Sequence, residues 1–401
     1  MRAPLLIAAT ALGGSPGEVT FLAPKPAIVG TPWQVTVSVK GGSTSAWIDV
    51  RALSGRESRV RRARRTGAGI YRASFTFPFA ATWRLDVRIG SRRVELGAVR
   101  VGPRPAAIPG ATVFTICANR ALPYPQYGLS LGLGSLWVAC RDGGMLQRID
   151  PATGTRTATV GPVSGDLYAI AAGAGAVWAT QRGPAALRID VGSGTLRNPV
   201  LVGESAYVFV AAGSVFVADD LNKTLLRFDP DTGRSNALSV GDGTSALVTD
   251  GRRAWITNHR DATLERIDLA TNTVKRLSKL PGDAPERMVS LAGSLWVTGR
   301  GTDLLRVDPD SGAVLATIEV GAGAIDLQQA GGRVWVFAPS AADDRRGLPF
   351  AERVLEVDPD SNRIVRTIRT RGQVVVNGLA SDGTSVWAAD TTNGRLYRIT
   401  A

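Results

Sequence analysis

Residues 293–314 read GSLWVTGRGTDLLRVDPDSGAV, and this stretch decides the fold because its pattern recurs along the chain. A short apolar run around an aromatic residue is followed by a second run that ends in Arg, an aliphatic residue and Asp, and then by Pro, Asp, Ser and Gly. Turn formers of this kind, with Gly or Asn able to take a positive φ, connect adjacent antiparallel strands. The stretch therefore predicts two strands, a tight turn and the start of a third strand.

The aromatic phrase occurs seven times, at intervals near forty residues. Its aromatic residues are Trp137, Trp178, Phe216, Trp255, Trp296, Trp335 and Trp387. The second phrase ends twelve or thirteen residues later in six copies and twenty-three residues later in the sixth copy; its end residues are Asp150, Asp190, Asp229, Asp268, Asp308, Asp358 and Thr400. A strand-like repeat of about forty residues is typical of β-propeller blades. With a further strand supplied by the apolar run before each aromatic residue, the repeats predict a seven-bladed propeller of four-stranded blades, here lettered a to d.

The last repeat stops at residues 398–401 (RITA), directly after its strand c. Its fourth strand must then come from elsewhere in the chain, and residues 111–116 (ATVFTI), which precede the first repeat, resemble the d strands. Pairing them with the last blade would cover the free edge of an otherwise open ring. We therefore expect residues 111–116 to close the propeller.

Residues 18–103 show a different pattern of seven short alternating runs. They read EVTFL, WQVTVSV, AWIDVRAL, ESRVRRARR, YRASFTF, TWRLDVRI and VELGAVRV. Seven strands in about ninety residues, with Trp33, Trp47 and Trp83 as core candidates, predict an immunoglobulin-like β-sandwich. Cysteines are absent from this segment, so membership of the antibody-type domains is not indicated. The sequence GPRP at 102–105 is a stiff boundary, and residues 104–401 are assigned to the propeller. The predicted fold class is all-β.

The first seventeen residues place one arginine before a short apolar run and then small residues, which is the layout of a secretory signal peptide. No other stretch approaches the length of a membrane span. We therefore expect a secreted or envelope-associated protein with no transmembrane segment in its mature form. Cys117 and Cys140 are the two cysteines of the chain, and in an oxidising compartment such a pair favours a disulfide, whereas two thiols cannot build a zinc site.

Most of the formal net charge of +13 lies in the front segment. Residues 17–100 hold 15 Lys and Arg against 5 Asp and Glu, while residues 101–401 hold 31 against 29. The densest run comprises Arg59, Arg61, Arg62, Arg64 and Arg65. It has no interleaved aromatic residues to stack on bases, so nucleic acid is disfavoured and an anionic surface is the expected partner. A merely solvated strand face, or a coding bias that replaces Lys by Arg, is the alternative.

The phrases GSLWVA followed by LQRIDPATGT, and GSLWVTGR followed by LLRVDPDSGAV, resemble the YVTN and streptogramin (virginiamycin B) lyase class of bacterial seven-bladed propellers over residues 111–401. That lyase family uses histidine and glutamate residues around a magnesium ion. This chain has one histidine and no complete matching set, so the resemblance implies the fold and does not carry the reaction over. The stretch GIYRASFTFPFAATWRLDVRI is more loosely similar to small exported sandwich domains of the YtkA type.

The repeats offer few residues for catalysis. His259 is the one histidine of the chain. Metal centres built on histidine usually need a second nitrogen or sulfur ligand, which argues against a zinc enzyme. A Mg²⁺ site made of carboxylates and water remains an alternative. The Asp that ends each second phrase precedes turn residues, which indicates side-chain capping of the c–d turn rather than a ring of acids. Phosphate-binding loops and nucleophile elbows are absent from the sequence. We expect no cofactor and no metal.

Antiparallel alternation places the b–c and d–a loops on one face of the propeller, and these b–c loops differ from blade to blade. A constant scaffold with one variable loop face is a common binding arrangement. The candidate ligand-binding residues are Arg141, Arg182, Asp219, His259, Arg300, Asp343, Arg345 and Asp390. Asp343 and Arg345 belong to an insertion at 338–352 in the sixth blade. This insertion offers both signs of charge and an apolar Leu-Pro-Phe segment for a ligand, or it is a tolerated surface insertion.

Two functions remain open at this point. The first is an exported noncatalytic binding or scaffold protein of the cell envelope that takes a small molecule, glycan or protein on the variable loop face. The second is a divalent-cation-dependent lyase or hydrolase, related to streptogramin lyase, that uses the same face.

Overall fold

The computed structural model describes residues 5–9, 19–23, 27–28, 31–40, 48–54, 57–77, 82–89, 91–102, 106–117, 128–140, 144–162, 167–181, 183–193, 195–201, 203, 205–219, 221–282, 284–299, 303–321, 326–339 and 350–401. The chain divides into two compact units, Met1–Arg104 and Pro105–Ala401. All regular elements of the described residues are strands. Among these residues there is no helix of the length and apolarity that would span a membrane.

The first unit consists of two five-stranded sheets. Its strands are β1 (Leu5–Ala9), β2 (Val19–Ala23), β3 (Ala27–Ile28), β4 (Pro32–Val39), β5 (Ile48–Ser54), β6 (Glu57–Arg62), β7 (Arg64–Gly67), β8 (Ile70–Thr76), β9 (Thr82–Ile89) and β10 (Arg92–Gly102). One sheet has the order β1-β2-β4-β8-β7 and the other β3-β10-β9-β5-β6. The described residues of the seven alternating runs lie on these strands or directly beside them. β1 belongs to the segment expected to be a signal peptide, and it pairs antiparallel with β2.

Aromatic side chains from both sheets form the centre of this unit. Trp33 on β4 and Trp83 on β9 are buried, and the ring of Phe77 lies between them, with centroids 5.6 and 5.1 Å away. The strict alternation of buried and exposed residues along β8 shows why the sequence period of two predicted these strands. The third core candidate, Trp47, lies outside the described residues.

The second unit is a seven-bladed β-propeller of four-stranded antiparallel blades. The first strand of this unit is β11 (Thr112–Thr115). Blade one contains β12 (Leu129–Gly132), β13 (Ser135–Cys140), β14 (Met145–Ile149) and β15 (Arg156–Val160); blade two contains β16 (Ala169–Gly173), β17 (Ala176–Thr180), β18 (Ala185–Ile189) and β19 (Leu196–Leu201); and blade three contains β20 (Ser205–Ala211), β21 (Ser214–Asp219), β22 (Thr224–Phe228) and β23 (Ser235–Ser239). Blade four contains β24 (Thr244–Thr249), β25 (Arg253–Asn258), β26 (Thr263–Asp268) and β27 (Thr273–Lys279); blade five contains β28 (Pro285–Leu291), β29 (Ser294–Gly299), β30 (Leu304–Val307) and β31 (Val314–Ile318); blade six contains β32 (Asp326–Ala330), β33 (Arg333–Ala338), β34 (Phe350–Asp358) and β35 (Arg363–Val375); and blade seven contains β36 (Leu379–Ser381), β37 (Ser385–Asp390) and β38 (Arg395–Thr400). The inner strand of each blade contacts the inner strand of the next, and β36 contacts β12, so the seven inner strands form a closed ring.

The seventh blade takes its outer strand from the front of the propeller unit. β11 pairs antiparallel with β38, from Thr112 opposite Arg398 to Thr115 opposite Arg395, so blade seven has the order β11-β38-β37-β36. This is the pairing expected from the missing fourth strand. Directly after β11, Cys117 forms a disulfide with Cys140 at the end of β13, with the two Cα atoms 5.7 Å apart. The predicted disulfide is therefore confirmed, and it joins the closing segment to blade one.

The repeated aromatic residue lies on strand b and is buried in every blade. Those described as fully buried include Trp137, Trp178, Phe216, Trp296, Trp335 and Trp387. In four blades the indole Nε1 donates to a carbonyl of its own a–b turn at 3.2 Å, as Trp296 does to Leu291. A large ring that satisfies its polar atom locally can be buried between blades without an unpaired donor.

The repeated Asp caps the c–d turn, as the sequence predicted. In blade five, Asp308 Oδ1 accepts hydrogen bonds from the backbone N–H groups of Asp310 (3.1 Å) and Ser311 (2.7 Å) and from the Ser311 hydroxyl (2.7 Å). The same Asp oxygen accepts a backbone N–H two residues on in the other five copies. Gly312 in this turn has φ of +75°, and Asn362 holds the equivalent place in blade six with φ of +56°.

Candidate functional site

The variable loop face, defined as the b–c and d–a loops, contains three described candidate residues. These are Asp219, His259 and Asp390, and each follows or ends strand b of its blade. The candidates Arg141, Arg182, Arg300, Asp343 and Arg345 lie outside the described residues. The structure thus describes this face in blades three, four and seven, where the three side chains can be followed atom by atom.

Asp219 holds its own b–c loop together. Its Oδ1 accepts hydrogen bonds from the N–H groups of Leu221 (3.1 Å) and Asn222 (3.2 Å), and its Oδ2 accepts one from Asn222 Nδ2 (2.9 Å). The N–H of Gly203, in the d–a loop of the same face, donates to Oδ2 at 3.0 Å. The carboxylate therefore connects the two loops that precede and follow blade three's inner hairpin.

Asp390 makes the same cap in blade seven but is completely buried. Its carboxylate accepts from the N–H (3.0 Å) and Nδ2 (2.7 Å) of Asn393. Burial raises the pKa of Asp390 to about 7, although the hydrogen bonds from Asn393 and the charge of Arg395 oppose the shift. A carboxyl group that changes protonation near neutral pH is thereby fixed beneath the loop face.

The buried loop around Asp390 is also joined to the neighbouring d–a loop. Asn377 Oδ1 accepts hydrogen bonds from the N–H (3.0 Å) and the hydroxyl (2.8 Å) of Thr391. Tyr397, on the next strand, donates its hydroxyl proton to the carbonyl of Ala106 at 3.0 Å. Burial raises the pKa of Tyr397 to about 12, and the carboxyl of Asp390 acts in the same direction. The phenol therefore stays protonated and serves as a donor.

His259 is half-buried on the b–c loop of blade four. Its Nδ1 lies 2.6 Å from the carbonyl oxygen of Gly243, so this nitrogen carries the proton and donates, and the backbone N–H of His259 donates to the same oxygen at 2.9 Å. Its neighbour Arg260 donates to Asp242 at 2.7 Å, and Lys223 of blade three lies 3.4 Å from the same carboxylate. With Nδ1 held by Gly243, Nε2 is the ring nitrogen that a ligand could contact.

The insertion of blade six is anchored at both ends. β33 ends at Ala338 and β34 begins at Phe350, and residues 340–349 between them lie outside the described part of the chain. Arg353, near the start of β34, donates through Nη2 to the carbonyl of Pro339 (3.1 Å) and to that of Val320 (2.8 Å). One guanidinium thus joins the base of the insertion to the d–a loop before blade six.

The central channel contains a polar site that the sequence reasoning missed. A cavity of about 400 Å³ is lined by the inner strands of blades three to seven. Its lining includes Phe209, Arg287, Met288, Asp326, Leu327, Gln328 and Leu379. The inner strands of blades five and six place charged residues at their loop-face ends, since Arg287 and Asp326 come early in β28 and β32.

Arg287 and Asp326 form an ion pair across two blades. Arg287 Nε lies 3.2 Å from Asp326 Oδ1, and the two side chains are 4% and 7% exposed. Burial raises the pKa of Asp326 to about 6, while the positive charge of Arg287 opposes the shift. Burying two charges carries a desolvation cost that their mutual attraction offsets only in part, so this pair is weak support for stability.

Other polar contacts join inner strands at the same end of the channel. The hydroxyls of Tyr168 and Tyr207, in blades two and three, are 3.3 Å apart and their rings are 5.6 Å apart. Ser245 in blade four donates to the carbonyl of Pro285 in blade five at 2.9 Å. The signal in the sequence was the polar phrases ERM at 286–288 and DLQQ at 326–329, where blade two reads AIAAG. These two phrases lie about forty residues apart, and only the closed ring brings their side chains together.

Groups of three or more His, Cys, Asp or Glu with metal-binding geometry do not occur within the described ranges. Asp219, His259 and Asp390 form hydrogen bonds within the loop face itself. The channel differs because it combines a cavity with the charged pair of Arg287 and Asp326.

Comparisons with known proteins support the β-propeller fold. No protein family and no curated protein matches the chain in sequence. Among solved structures, a β-propeller chain of the "Crystal Structure of Mitotic Checkpoint Complex" is similar to it with a TM-score of 0.60 and 11% identity, covering 72% of this chain and 91% of that one. "The crystal structure of BamB from Moraxella catarrhalis" gives a TM-score of 0.49 and 13% identity, covering 68% and 81%. At 11% identity, the first match shows a shared β-propeller fold.

Proposed function

We propose that this chain is an exported, noncatalytic binding protein of the cell envelope whose central channel holds a small polar ligand. The observation that carries the proposal is the cavity of about 400 Å³ between the inner strands of blades three to seven. Its volume falls within the usual range for small-molecule sites, about 300–1,000 Å³. Propellers commonly use the channel and the surrounding loops in this way because the ring of blades makes a rigid rim.

The lining favours a ligand that carries both charge and apolar surface. Arg287 and Asp326 offer a cation and a carboxylate, Gln328 offers an amide, and Met288 with Leu327 offers apolar contact. The Arg287 guanidinium also donates through Nη1 to the carbonyl of Glu286 at 3.2 Å, and a ligand with its own anionic group would add to the contacts of this cation. A small zwitterion or acidic sugar is the chemical class that fits best.

The proposed location rests on the disulfide and on the first seventeen residues. A structural disulfide is typical of proteins outside the cytoplasm, and the layout of residues 1–17 favours export. We also propose that the chain is a divergent relative of the YVTN and streptogramin lyase propellers, and that its first unit is an immunoglobulin-like sandwich of the YtkA type. Two packed five-stranded sheets support the second assignment.

The variable loop face is proposed as the entrance to the channel. Asp219, His259 and Asp390 fix the loops of blades three, four and seven, and Arg353 fixes the base of the blade-six insertion. The insertion of the sixth blade, with Asp343 and Arg345, is proposed to contribute to ligand binding. Replacing residues 340–349 by a short Gly-Ser turn, which leaves β34 intact from Phe350, should leave the melting temperature unchanged and weaken ligand binding. Unchanged binding would remove the insertion from the site.

Binding in the channel is tested with a variant that places a large side chain in the cavity. Ser290 lines the cavity from β28. A panel of zwitterions, acidic sugars and other metabolites is screened by thermal shift against the native chain and against the variants Ser290→Trp and Ser290→Ala. We expect at least one compound to stabilise the native chain and the alanine variant but not the tryptophan variant. Equal stabilisation of all three proteins, or of none, would contradict binding in the channel.

The alternative, a divalent-cation-dependent lyase or hydrolase, is tested with the same protein. A chelator such as EDTA should leave the melting temperature unchanged if the chain is a noncatalytic binder. A loss of stability on chelation that is restored by one added divalent metal would favour the enzyme instead.

A further inference from the structure

We propose that the channel binds a free α-amino acid with an apolar side chain, whose carboxylate contacts Arg287 and whose ammonium group contacts Asp326. This inference deepens the proposed function and rests on the channel being a ligand site. Three features of the cavity carry it: the charge balance of its lining, the closeness of the two charged side chains, and the apolar layer beside them.

The charge balance of the lining favours a ligand with no net charge. Among the described residues that line the cavity, Arg287 is the one cation and Asp326 the one carboxylate, while the neighbouring Glu286 is not part of the lining. A phosphate ester or an acidic sugar would bring negative charge into this buried site without a matching cation, which is costly. A zwitterion leaves the net charge of the site at zero and is therefore preferred.

The closeness of the two side chains favours a ligand whose own opposite charges are neighbours. Arg287 Nε lies 3.2 Å from Asp326 Oδ1. In an α-amino acid a single carbon atom joins the ammonium nitrogen to the carboxylate carbon, so the ligand can lie antiparallel to the protein pair. Four charges of alternating sign then form a ring, in which every contact is attractive. A dipeptide has a peptide unit between its termini, which places them too far apart for this arrangement.

The carboxylate of Asp326 has an oxygen suited to the ammonium group. Its Oδ1 accepts the N–H of Leu327 at 2.9 Å and is also the oxygen nearest to Arg287. Among the described residues, the hydrogen bond and the ion pair of this carboxylate are both made by Oδ1. Because a carboxylate accepts hydrogen bonds through both of its oxygens, Oδ2 is the atom that we assign to the ligand.

An apolar layer follows the charged pair along the channel. Four lining residues of blades four to seven form it, and each is paired with the residue that follows the repeated aromatic residue on its own strand b, so all four lie at one level; they are Leu247, Met288, Leu327 and Leu379. A ligand whose Cα lies beside Arg287 and Asp326 would extend its side chain between these four residues.

The depth of the apolar layer limits the size of that side chain. Two residues further along the inner strands the lining becomes polar again, at Thr249, Ser290 and Gln329. Two residues of a strand span about 7 Å at roughly 3.3 Å per residue. This depth suits a side chain of the size of leucine, methionine or phenylalanine.

Asp326 also gives the site a pH dependence with a definite sign. Burial raises the pKa of Asp326 to about 6, while the charge of Arg287 opposes the shift and that of Glu286 adds to it. The other strands packed against β32 carry Arg333, at the far end of β33, and Asp390, at the end of β37; β29 and β36 carry no charged side chain. Below about pH 6 the carboxyl of Asp326 is neutral, so its attraction for an ammonium group is lost.

The test measures affinities of the full chain by isothermal titration calorimetry. The probes are L-leucine, L-methionine and L-phenylalanine, the amide of each, which lacks the carboxylate, and the acid of each without its amino group. Glucuronate represents the acidic sugars. Ser290→Trp fills the channel, and Asp326→Asn removes the negative charge of the site. Asp86→Asn is the matched control, because it makes the same change in the Arg51–Asp86 ion pair of the first unit.

We expect at least one of the three amino acids to bind the native chain and Asp86→Asn within about twofold of each other, and not to bind Ser290→Trp. Its amide and its deaminated acid should bind the native chain at least tenfold more weakly. The affinity for the amino acid should fall about tenfold between pH 7.5 and pH 5, as expected for a carboxyl with a pKa of about 6. In Asp326→Asn the deaminated acid should bind more tightly than the amino acid, because the lining then carries one uncompensated positive charge.

Equal affinity of the native chain for the amino acid and for its deaminated acid would overturn the proposal, because the ammonium group would then not be recognised. Binding of glucuronate in the channel without binding of an amino acid would also overturn it, and would leave the proposed function standing. Absence of any ligand that Ser290→Trp excludes would contradict both. The comparison of the amino acid with its two analogues uses the native chain alone, so it decides the question even if Asp326→Asn does not fold.

Discussion

At the scale of single residues, the Arg that precedes the repeated Asp joins neighbouring blades. In blade five, Arg306 Nε donates to Ser294 Oγ at 2.9 Å, and Nη1 donates to the carbonyl of Pro359 (2.7 Å) and to Asn362 Oδ1 (3.0 Å) in blade six. Its guanidinium also lies 5.5 Å from the ring centre of Trp296. Equivalent stacking occurs at Arg148, Arg188, Arg227 and Arg398.

Replacing this arginine should therefore weaken the contact between two blades. We expect Arg306→Gln to lower the free energy of unfolding by about 2 kcal/mol, since hydrogen bonds to charged groups contribute roughly 1.5–3 kcal/mol. Arg369→Gln, on the exposed outer strand β35, is the matched control and should change it by less than about 0.5 kcal/mol. Urea titration measures both, and equal effects would contradict a role in blade contact.

Asp390 should make stability depend on pH in the direction opposite to an ordinary aspartate. Its pKa in the folded chain is about 7, above the usual 3.8, so the folded state holds a proton that the unfolded state releases. Stability is then greatest below the unfolded pKa and decreases as pH rises toward 7.

The comparison of melting temperatures across pH tests this directly. The advantage of Asp390→Asn over the native chain should grow from pH 4 to about 7 and then level off. Asp308→Asn is the control, because hydrogen bonds from Ser311 lower the pKa of Asp308, and its effect should be constant between pH 5 and 8. A constant difference for Asp390→Asn over the same range would refute the buried, protonated carboxyl.

The residue roles were predictable from sequence only where the partners are close in the chain. The Asp of the c–d turn bonds to atoms two and three residues away, so turn chemistry alone identified it. The partner carbonyl of Arg306 lies fifty-three residues away in another blade, and no local pattern reveals it. Arg287 and Asp326 were missed for the same reason, because the ring brings two inner strands together.

At the scale of elements, the closing strand β11 is held by pairing and by one covalent bond. It contributes four pairs with β38, and the disulfide fixes its far end to blade one, twenty-three residues along the chain. The ring of Phe114 also lies 5.7 Å from that of Trp387 across the same blade. The element that completes the fold is thus attached to both blades at the junction.

Removing the disulfide should lower stability by roughly 3 kcal/mol in the chain-entropy model for a loop of this length. The variant with Cys117→Ser and Cys140→Ser, measured by guanidinium titration, should match the native chain under a reducing agent. Stability equal to that of the oxidised native chain would show that the bond contributes nothing at this junction.

At the scale of the whole molecule, the repeat period was enough to predict the number and order of the blades. Each blade is a local hairpin series, so its strands and turns are encoded within about forty residues, and the incomplete last repeat indicated where the ring closes. The channel was not predictable, because its surface is assembled from one strand of each of several blades.

Closure makes the ring sensitive to its last strand. Removing residues 395–401 deletes β38 and leaves β11 without a partner, so we expect the melting transition of the propeller to be lost. Removing Ala401 alone keeps β38 and should preserve the transition. Differential scanning calorimetry compares the two truncations, and a propeller transition in the longer truncation would show that closure through β11 is dispensable.

The central claim is that the propeller binds its ligand inside the ring. The most direct measurement is a crystal structure of the full chain with the compound that stabilises it most and that loses its effect in Ser290→Trp. We predict ligand density between the inner strands of blades four, five and six, within hydrogen-bond distance of Arg287 or Gln328. Density on the outer strands, on the first unit or on the c–d turns, with the channel filled only by water, would contradict the account.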